Sequence, residues 1–286
     1  MTAIRVTALV VVHHEESYIR ECLESCRDCV DEIVIVHDGP CSDATLDIAR
    51  DFTDRVYVTE TQAGSAEFLR PFGLSQCRGD WVLVLDADER LTPALRAALP
   101  GLVDDESADS YGFAWPYVLP DGQPVTQRSV SGKRFLFRKD RMYTVGLPHM
   151  TPDTYGHNIS RPDLAVLHVM KFSQTQGQIR RVFRQNRRRG RRIAETLAQG
   201  LGSIETFQAD LNDPRVKNGR KLRLFYRHPL IGLITVPLYG FVHWYVARGY
   251  WRAGWIGLHD ALNLPLCHAW TCLYRLAQRS KTGTIR

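Results

Sequence analysis

Four short apolar segments in the first ninety residues constrain the fold more than any other feature, because helical patterns separate them. The first, Arg5–Val12, is a continuous run rich in β-branched residues, which is typical of a strand buried on both faces of a parallel sheet. The other three are Glu32–His37, Arg55–Val58 and Trp81–Leu85. Strands and helices that alternate at this spacing predict a mostly parallel sheet flanked by helices.

Helical patterns fill the intervals between these strands. Apolar residues from Ile19 to Val30 form one helical stripe. Ser42 or Asp43 can cap a second helix that reaches Phe52, and a third helix is predicted at Phe68–Cys77 despite its internal proline. The stripe of the first helix also carries three thiols, which we interpret as core residues rather than metal ligands: Cys22, Cys26 and Cys29.

The pattern changes after Pro93. Strands are predicted at Tyr111–Leu119, Phe135–Arg138 and Ala165–Met170, followed by a basic helix at Gln176–Gln199. A polar linker at 200–220 then leads to an apolar, aromatic region.

Charge divides the chain in the same way as hydropathy. Residues 1–110 hold 9 Lys or Arg and 22 Asp or Glu, a net charge of −13, whereas residues 111–286 hold 28 and 9, a net charge of +19. An acidic half suits a metal site, and a basic half suits phosphates or lipid headgroups. The seven cysteines follow no secreted framework and the N-terminus lacks a signal-peptide pattern, so we expect a cytoplasmic protein with reduced thiols.

An acidic motif follows the fourth strand directly. Asp86 and Asp88 are one residue apart where the chain leaves a strand end, the edge at which α/β sheets bind ligands. Two such carboxylates can present oxygens to one hard cation. A solvated acidic turn is the alternative, but polar groups also follow the first three strands, at His13–Glu15, His37–Gly39 and Glu60. Their convergence on one edge favours a site.

In their order along the chain, these segments resemble a known family. The segments are Val10–Glu16, His37–Thr45, Arg78–Trp81 and Leu85–Arg90. Together they resemble a family 2 glycosyltransferase with the GT-A fold, and are similar to the branch of lipopolysaccharide-core β-glucosyltransferases. The resemblance implies a Rossmann-like, mostly parallel α/β sheet followed by a C-terminal hydrophobic and amphipathic helical tail.

The resemblance also implies roles for single residues. In this family Asp-x-Asp holds Mg²⁺ or Mn²⁺ with the donor diphosphate, which places Asp86 on the ribose side and Asp88 on the metal. A C-terminal histidine often joins the metal shell, and His168 is the candidate, although a lone histidine there is also typical of a core. From their location in the chain alone, and not from the resemblance, we expect Arg70 or Arg134 to add charge near the phosphates. The positions that contact the nucleotide in the family match Val11, His13, Glu15 and Asp38.

The sequence departs from the family pattern in three loops. The first reads His-His-Glu-Glu instead of Tyr-Asn-Glu-Glu, and the second, Asp-Gly-Pro-Cys-Ser-Asp, is one residue longer than usual. The family's Val-His-Glu corresponds to Pro148–Met150, and a thioether cannot accept a proton. The catalytic base is therefore expected at Asp153, with His149 as the alternative.

The C-terminal half predicts a membrane surface as partner. Ile179–Ile193 contains eight arginines and no acid, and no nucleic-acid recognition motif accompanies them. Pro229–Ala247 is apolar but interrupted by glycine and proline, and tryptophans flank it, which favours an interfacial helix. A helix pair packed on the catalytic domain is the alternative.

These observations predict three regions. They are a GT-A catalytic domain at 1–175, divided into a nucleotide-sugar half at 1–93 and an acceptor half at 94–175, a basic helix and linker at 176–220, and a membrane-associated tail at 221–286. The predicted activity is inverting, metal-dependent transfer of a sugar from a nucleotide sugar, expected to be UDP-linked. The acceptor is a hydroxyl of a lipid-linked or cell-envelope glycan, on the inner face of the cell membrane. The alternatives are a nucleotidyltransferase and a non-catalytic nucleotide-sugar-binding module, while nucleic acid is not expected as a partner.

Overall fold

A computed structural model of the chain describes residues 4–124, 132–171, 179–199, 207–216, 220–247 and 249–281. The predicted helix start at Gln176 and residues 200–206 and 217–219 of the predicted linker lie outside these ranges. The chain forms two compact units. Unit 1 contains residues 1–146, 150–170 and 205–209, and unit 2 contains 147–149, 171–204 and 210–286. The domain boundaries expected from the sequence stay a prediction.

Unit 1 is an α/β fold around one large sheet, as the sequence predicts. Its strands, in chain order, are β1 Val6–Val12, β2 Glu32–His37, β3 Val56–Val58, β4 Trp81–Leu85, β5 Glu89–Leu91, β6 Ser110–Ala114, β7 Tyr117–Val118, β8 Lys133–Arg138 and β11 Asn158–Val169. β9 Met142–Tyr143 and β10 Asp153–Thr154 form a separate antiparallel pair. The helices are α1 Ile19–Cys26, α2 Thr45–Arg50, α3 Ala66–Gln76 and α4 Pro93–Asp104.

The order of the strands in the large sheet is β3-β2-β1-β4-β8-β6-β11-β5, with β7 beside β11. The first four are parallel to one another, and β8 is antiparallel to both of its neighbours. Every residue of β1, β2 and β4 is buried, because both faces of these strands are covered. This confirms the α/β fold class and the four predicted N-terminal strands.

Elements after Pro93 differ more from the predictions. The expected strand Tyr111–Leu119 is two strands, since it is interrupted at Trp115 and Pro116. β11 begins at Asn158 rather than Ala165, and α4 was not predicted. Thr92 caps α4 by accepting a hydrogen bond from the Leu95 amide.

Unit 2 is helical in its described residues. Its elements are α5 Ile179–Gln199, α6 Arg220–Arg227, α7 Pro229–Phe241, a π-helical turn Val242–Ala247, a 3₁₀ turn Tyr250–Ala253 and α8 Gly254–Lys281. The backbone of Gly240 approaches Pro265 of α8 so closely that an added Cβ would lie 2.3 Å from the proline ring. Inside this unit the Tyr226 hydroxyl lies 2.6 Å from Nδ1 of the buried His268.

Candidate active site

Parallel pairing brings the ends of three neighbouring strands to one edge of the sheet. Val12 of β1 pairs with His37 of β2, and Val10 pairs with Leu85 of β4. The residues that follow these strands, Asp38 and Asp86 among them, therefore leave the sheet at its carboxyl edge. This is the edge at which open α/β sheets bind ligands.

Asp86 lies between two cations. Its Oδ1 accepts a hydrogen bond from Nη2 of Arg70 at 2.9 Å, and its Oδ2 accepts one from Nζ of Lys133 at 3.0 Å. Burial opposes the negative charge, but the two cations outweigh it and hold the pKa of Asp86 well below its usual range. Asp86 is therefore a carboxylate whose two oxygens already have positively charged partners.

Glu89 is the buried anchor of the same motif. Its side chain is fully buried, and Oε1 accepts hydrogen bonds from Lys133 Nζ at 2.6 Å and from Trp115 Nε1 at 2.8 Å. Its Oε2 accepts a hydrogen bond from the backbone amide of Asp86 at 2.8 Å. Both carboxylate oxygens are thus used to hold the turn that carries Asp86 and Asp88.

Asp88 faces a histidine across the same site. Its Oδ2 lies 3.6 Å from Nε2 of His168, and both side chains are buried. The His168 ring stacks on Trp115 with centroids 4.4 Å apart. Burial lowers the pKa of His168, but hydrogen bonding to Asp88 and its charge more than offset this, so the pKa is raised.

The pair Asp88 and His168 fits a divalent cation. Ligand atoms of an octahedral Mg²⁺ or Mn²⁺ site with bonds of about 2.1 Å lie about 3 Å apart, close to the separation of these two side chains. Nδ1 of His168 is buried and has no hydrogen-bond partner among the described residues. The two side chains supply one oxygen and one nitrogen, which leaves further ligand positions for water and phosphate.

The loops after β1 and β2 join at Asp38. This buried carboxylate accepts hydrogen bonds from the backbone amides of Ala63 and of Gly64, the latter at 2.8 Å. Its own carbonyl oxygen accepts a hydrogen bond from Nδ1 of His13 at 2.8 Å, while Nε2 of His13 lies 2.8 Å from the Gln62 amide nitrogen. Asp38 therefore orders the segment at 62–64 beside His13.

Two other predicted nucleotide contacts have defined places. The Val11 side chain packs in the core beneath the sheet, so contact with a nucleotide at this position falls to its backbone. The Glu15 amide donates a hydrogen bond to Oγ1 of Thr45 at 2.7 Å, which connects the first loop to α2.

The two predicted base residues lie in different units. Asp153 is buried in unit 1, where Oδ1 accepts hydrogen bonds from Arg134 Nη1 at 2.5 Å and from the Thr154 amide at 2.8 Å. Its Oδ2 accepts a hydrogen bond from the Tyr143 hydroxyl at 3.2 Å. His149 belongs to unit 2, with its ring 6.3 Å from that of His268. Arg134 is paired with Asp153, and its expected role near the donor phosphates stays a prediction.

Lys133 and Trp115 are site residues that were not predicted from the sequence. Lys133 begins β8 two residues before the fully buried Phe135, and its Nζ lies 4.8 Å from the centre of that ring, so its side chain points into the core. A lysine at such a position needs a carboxylate partner, and that is the signal that would have found it.

The chain matches a family model. Residues 7–161 match the model described as Glycosyl transferase family 2, and the chain belongs to this family. It is a glycosyltransferase, and neither alternative function, nucleotidyltransferase or binding module, is needed to account for the site.

Individual relatives agree with this assignment. The chain is 27% identical over 265 residues to the lipopolysaccharide core biosynthesis glycosyltransferase LpsC of Rhizobium meliloti (strain 1021), covering 90% of this chain and 86% of LpsC. It is also 27% identical over 107 residues to an uncharacterized glycosyltransferase, RT0209, of Rickettsia typhi, covering 37% of this chain and 36% of that protein. Among solved structures, S. aureus TarS 1–349 in complex with UDP-GlcNAc superposes with a TM-score of 0.49 at 15% identity, covering 96% of this chain and 92% of TarS 1–349.

Replacing Lys133 by methionine tests the buried network. We expect Lys133→Met to lower the free energy of unfolding by about 3–5 kcal/mol, because Glu89 would then be buried without its cation. Adding Glu89→Gln should restore part of the loss, since the second change removes the uncompensated charge. Denaturant unfolding measures both.

Lys139→Met is the matched control for this experiment. Lys139 lies just beyond the same strand, and its ammonium contacts the Cys77 carbonyl and the Phe207 ring rather than a carboxylate. We expect a loss of about 1 kcal/mol. Equal losses at the two lysines would contradict a special role for the Lys133 network.

Proposed function

We propose that the enzyme is an inverting, metal-dependent glycosyltransferase. It moves a sugar from a nucleotide sugar, UDP-linked, to a hydroxyl of a lipid-linked or cell-envelope glycan. The observation that carries the proposal is the arrangement of Asp86, Asp88 and His168 at the carboxyl edge of the sheet, with Arg70 and Lys133 beside it. This combines a cation site with fixed positive charge, as a departing diphosphate requires.

Asp88 and His168 would hold Mg²⁺ or Mn²⁺. When bound, the cation neutralises charge that develops on the departing nucleoside diphosphate. Arg70 supports the same charge from the protein side, and Asp86, fixed between its two cations, binds on the ribose side. The nucleotide itself lies against the first two loops, where Asp38 orders the backbone and His13 offers a ring for stacking on the base.

A catalytic base must accept the proton of the acceptor hydroxyl as the sugar is transferred in one in-line displacement. We propose Asp153 as this base, with His149 as the alternative. The contacts of Asp153 set a geometric condition on this role, because both of its oxygens accept hydrogen bonds from the protein, from Arg134 and from Tyr143. The acceptor hydroxyl must take the place of one of these contacts to come within hydrogen-bond distance of the carboxylate.

A peripheral position on the inner face of the cell membrane is the second part of the proposal. α7 with the turn that follows it, Pro229–Ala247, is long and apolar enough to cross a membrane, and 17% of it is buried. Its exposed apolar side chains recur along one helical face: Leu230, Ile231, Ile234, Leu238, Tyr239, Val242 and Val246. Such a stripe suits the apolar part of a lipid interface.

The basic helix α5 supplies the charge for the same surface. The arginines of α5 include the exposed Arg184, Arg187 and Arg188. Each arginine near an anionic membrane contributes about 1 kcal/mol to binding. A membrane location brings the enzyme to a lipid-linked acceptor. The name of LpsC, which refers to lipopolysaccharide core biosynthesis, supports an acceptor in the cell envelope.

Asp88→Asn tests the cation site. In the unmodified protein we expect UDP-sugars to raise the melting temperature only when Mn²⁺ or Mg²⁺ is present, because a ligand of the native state stabilises it. Asp88→Asn should abolish this shift and lower turnover by at least about 10²-fold. Asp80→Asn is the control, since Asp80 is an exposed carboxylate before the other end of β4. Turnover that survives a chelator or the Asp88 variant would overturn the metal role.

A pair of variants separates a catalytic role of Asp153 from a structural one. Asp153→Asn and Arg134→Gln both break the same ion pair, but only the first removes a proton acceptor. If Asp153 is the base, Asp153→Asn lowers kcat by about 10²–10⁴-fold with unchanged donor affinity, and Arg134→Gln does much less. Equal losses in the two variants would assign Asp153 a structural role. If only His149→Ala lowers kcat in this way, the base is His149.

Membrane binding can be tested without truncating the chain. We expect the full-length protein to sediment with anionic vesicles, and the double variant Ile234→Glu, Leu238→Glu to lose most of this binding because it places charge on the apolar stripe. Val58→Glu is the control, since Val58 is an exposed apolar residue of unit 1. Equal sedimentation of both variants, or none of the unmodified protein, would rule out the stripe as the membrane contact. High salt should weaken the binding by screening the arginines.

A further inference from the structure

The loops after β1 and β2 bring four side chains of metal-binding types together. They are His14 from the first loop, His37 at the end of β2, and Cys41 and Asp43 from the second loop. One ligand atom from each residue lies within 4.8 Å of all the others. These four residues share no member with the Asp86, Asp88 and His168 group, and only they include a thiol.

The chemistry of these four side chains indicates the kind of ion. Two imidazoles, one thiol and one carboxylate are the ligands of a borderline-soft cation, and Zn²⁺ takes four of them in a tetrahedron. Mg²⁺ and Mn²⁺ prefer oxygen ligands and would select the carboxylates of the Asp86 motif instead. The two groups therefore suit different metals.

His37 is already oriented as a ligand. Its Nδ1 lies 2.6 Å from the carbonyl oxygen of Gly39, which can only accept, so the proton is on Nδ1. The lone pair is on Nε2, which here accepts a long hydrogen bond, 3.5 Å, from the His14 amide that a metal ion would replace. The side chain is fully buried and cannot turn away. Histidine ligands of metals are typically held in this way, with the second ring nitrogen donating to a carbonyl or carboxylate.

The thiol and the carboxylate are also adjacent. Sγ of Cys41 lies 3.2 Å from Oδ1 of Asp43, a separation close to the edge of a zinc tetrahedron, about 3.3–3.8 Å. His14 is exposed and Cys41 is half-buried, so both can make the small movements that bring all four ligand atoms to this spacing.

We propose that His14, His37, Cys41 and Asp43 bind one Zn²⁺ ion that clamps the loop after β1 to the loop after β2. On binding, the Cys41 thiol gives its proton to solvent and coordinates as thiolate. With four protein ligands the coordination sphere is closed, which is the mark of a structural rather than a catalytic zinc. The site does not depend on the proposed glycosyl transfer, although both loops border the predicted nucleotide contacts.

The competing account is a hydrogen-bonded cluster without metal. Here the thiol donates to Asp43, and Nε2 of His14 accepts from the Ser42 amide at 3.2 Å. Metal-binding measurements distinguish the two accounts. A cluster held only by hydrogen bonds would not bind Zn²⁺ tightly through the Cys41 thiolate.

The experiment uses the full-length protein, stripped with a chelator and then titrated with Zn²⁺ or Co²⁺ alone. We expect one equivalent of Zn²⁺ to bind in competition with a chromophoric chelator and to raise the melting temperature. Co²⁺ in the same site should give visible absorption of tetrahedral type and a thiolate-to-metal charge-transfer band. Cys41→Ser should abolish that band and weaken Zn²⁺ binding by at least about 10²-fold.

Two controls locate the ion. Cys29→Ser removes a half-buried thiol of the same unit and should leave the Co²⁺ band intact. Asp88→Asn should also leave it intact, because the Asp86 motif contains no thiolate. Zn²⁺ should moreover protect Cys41 of the unmodified protein from alkylation, which tests the site without any variant. No stoichiometric Zn²⁺ binding, a band that survives Cys41→Ser, or binding lost only in Asp88→Asn would each overturn the proposal.

Discussion

The ion pair between Glu89 and Lys133 is the interaction on which the active site depends. Glu89 is fully buried, and its carboxylate holds the turn after β4 through the Asp86 amide. Lys133 in turn reaches both Glu89 and Asp86, so one ammonium fixes the anchor of the motif and one of its functional carboxylates. A buried charge pair of this kind costs desolvation energy, and its retention here is explained by the positioning that it provides.

That network also separates the two aspartates chemically. Asp86 has both oxygens against cations, whereas Asp88 faces the imidazole of His168. The two carboxylates therefore have different partners, and the metal role that we propose for Asp88 is the one that leaves both ion pairs of Asp86 intact.

The N-terminal strands could be predicted because local and global constraints agree there. A strand such as β1, covered on both faces, must be apolar throughout, and that pattern is visible in the sequence. Contacts between segments that are distant in sequence are harder to infer, because they produce no local sequence pattern. Lys133 meets Asp86 across 47 residues, and Asp153 meets Arg134 across 19, so neither pair follows from periodicity or spacing.

The three departures from the family pattern fall in loops, whereas the strands keep it. Core packing constrains strand residues, while loops at a sheet edge are free to acquire new chemistry. Two of the departures, at His13–His14 and at Pro40–Ser42, come from different loops, yet His14 and Ser42 are in hydrogen-bonding contact. Because one departure lies against the other, the two changes form a single local rearrangement. The third, at Pro148–Met150, places a thioether where the family pattern has a carboxylate, and this departure is the reason that we propose Asp153 or His149 as the base.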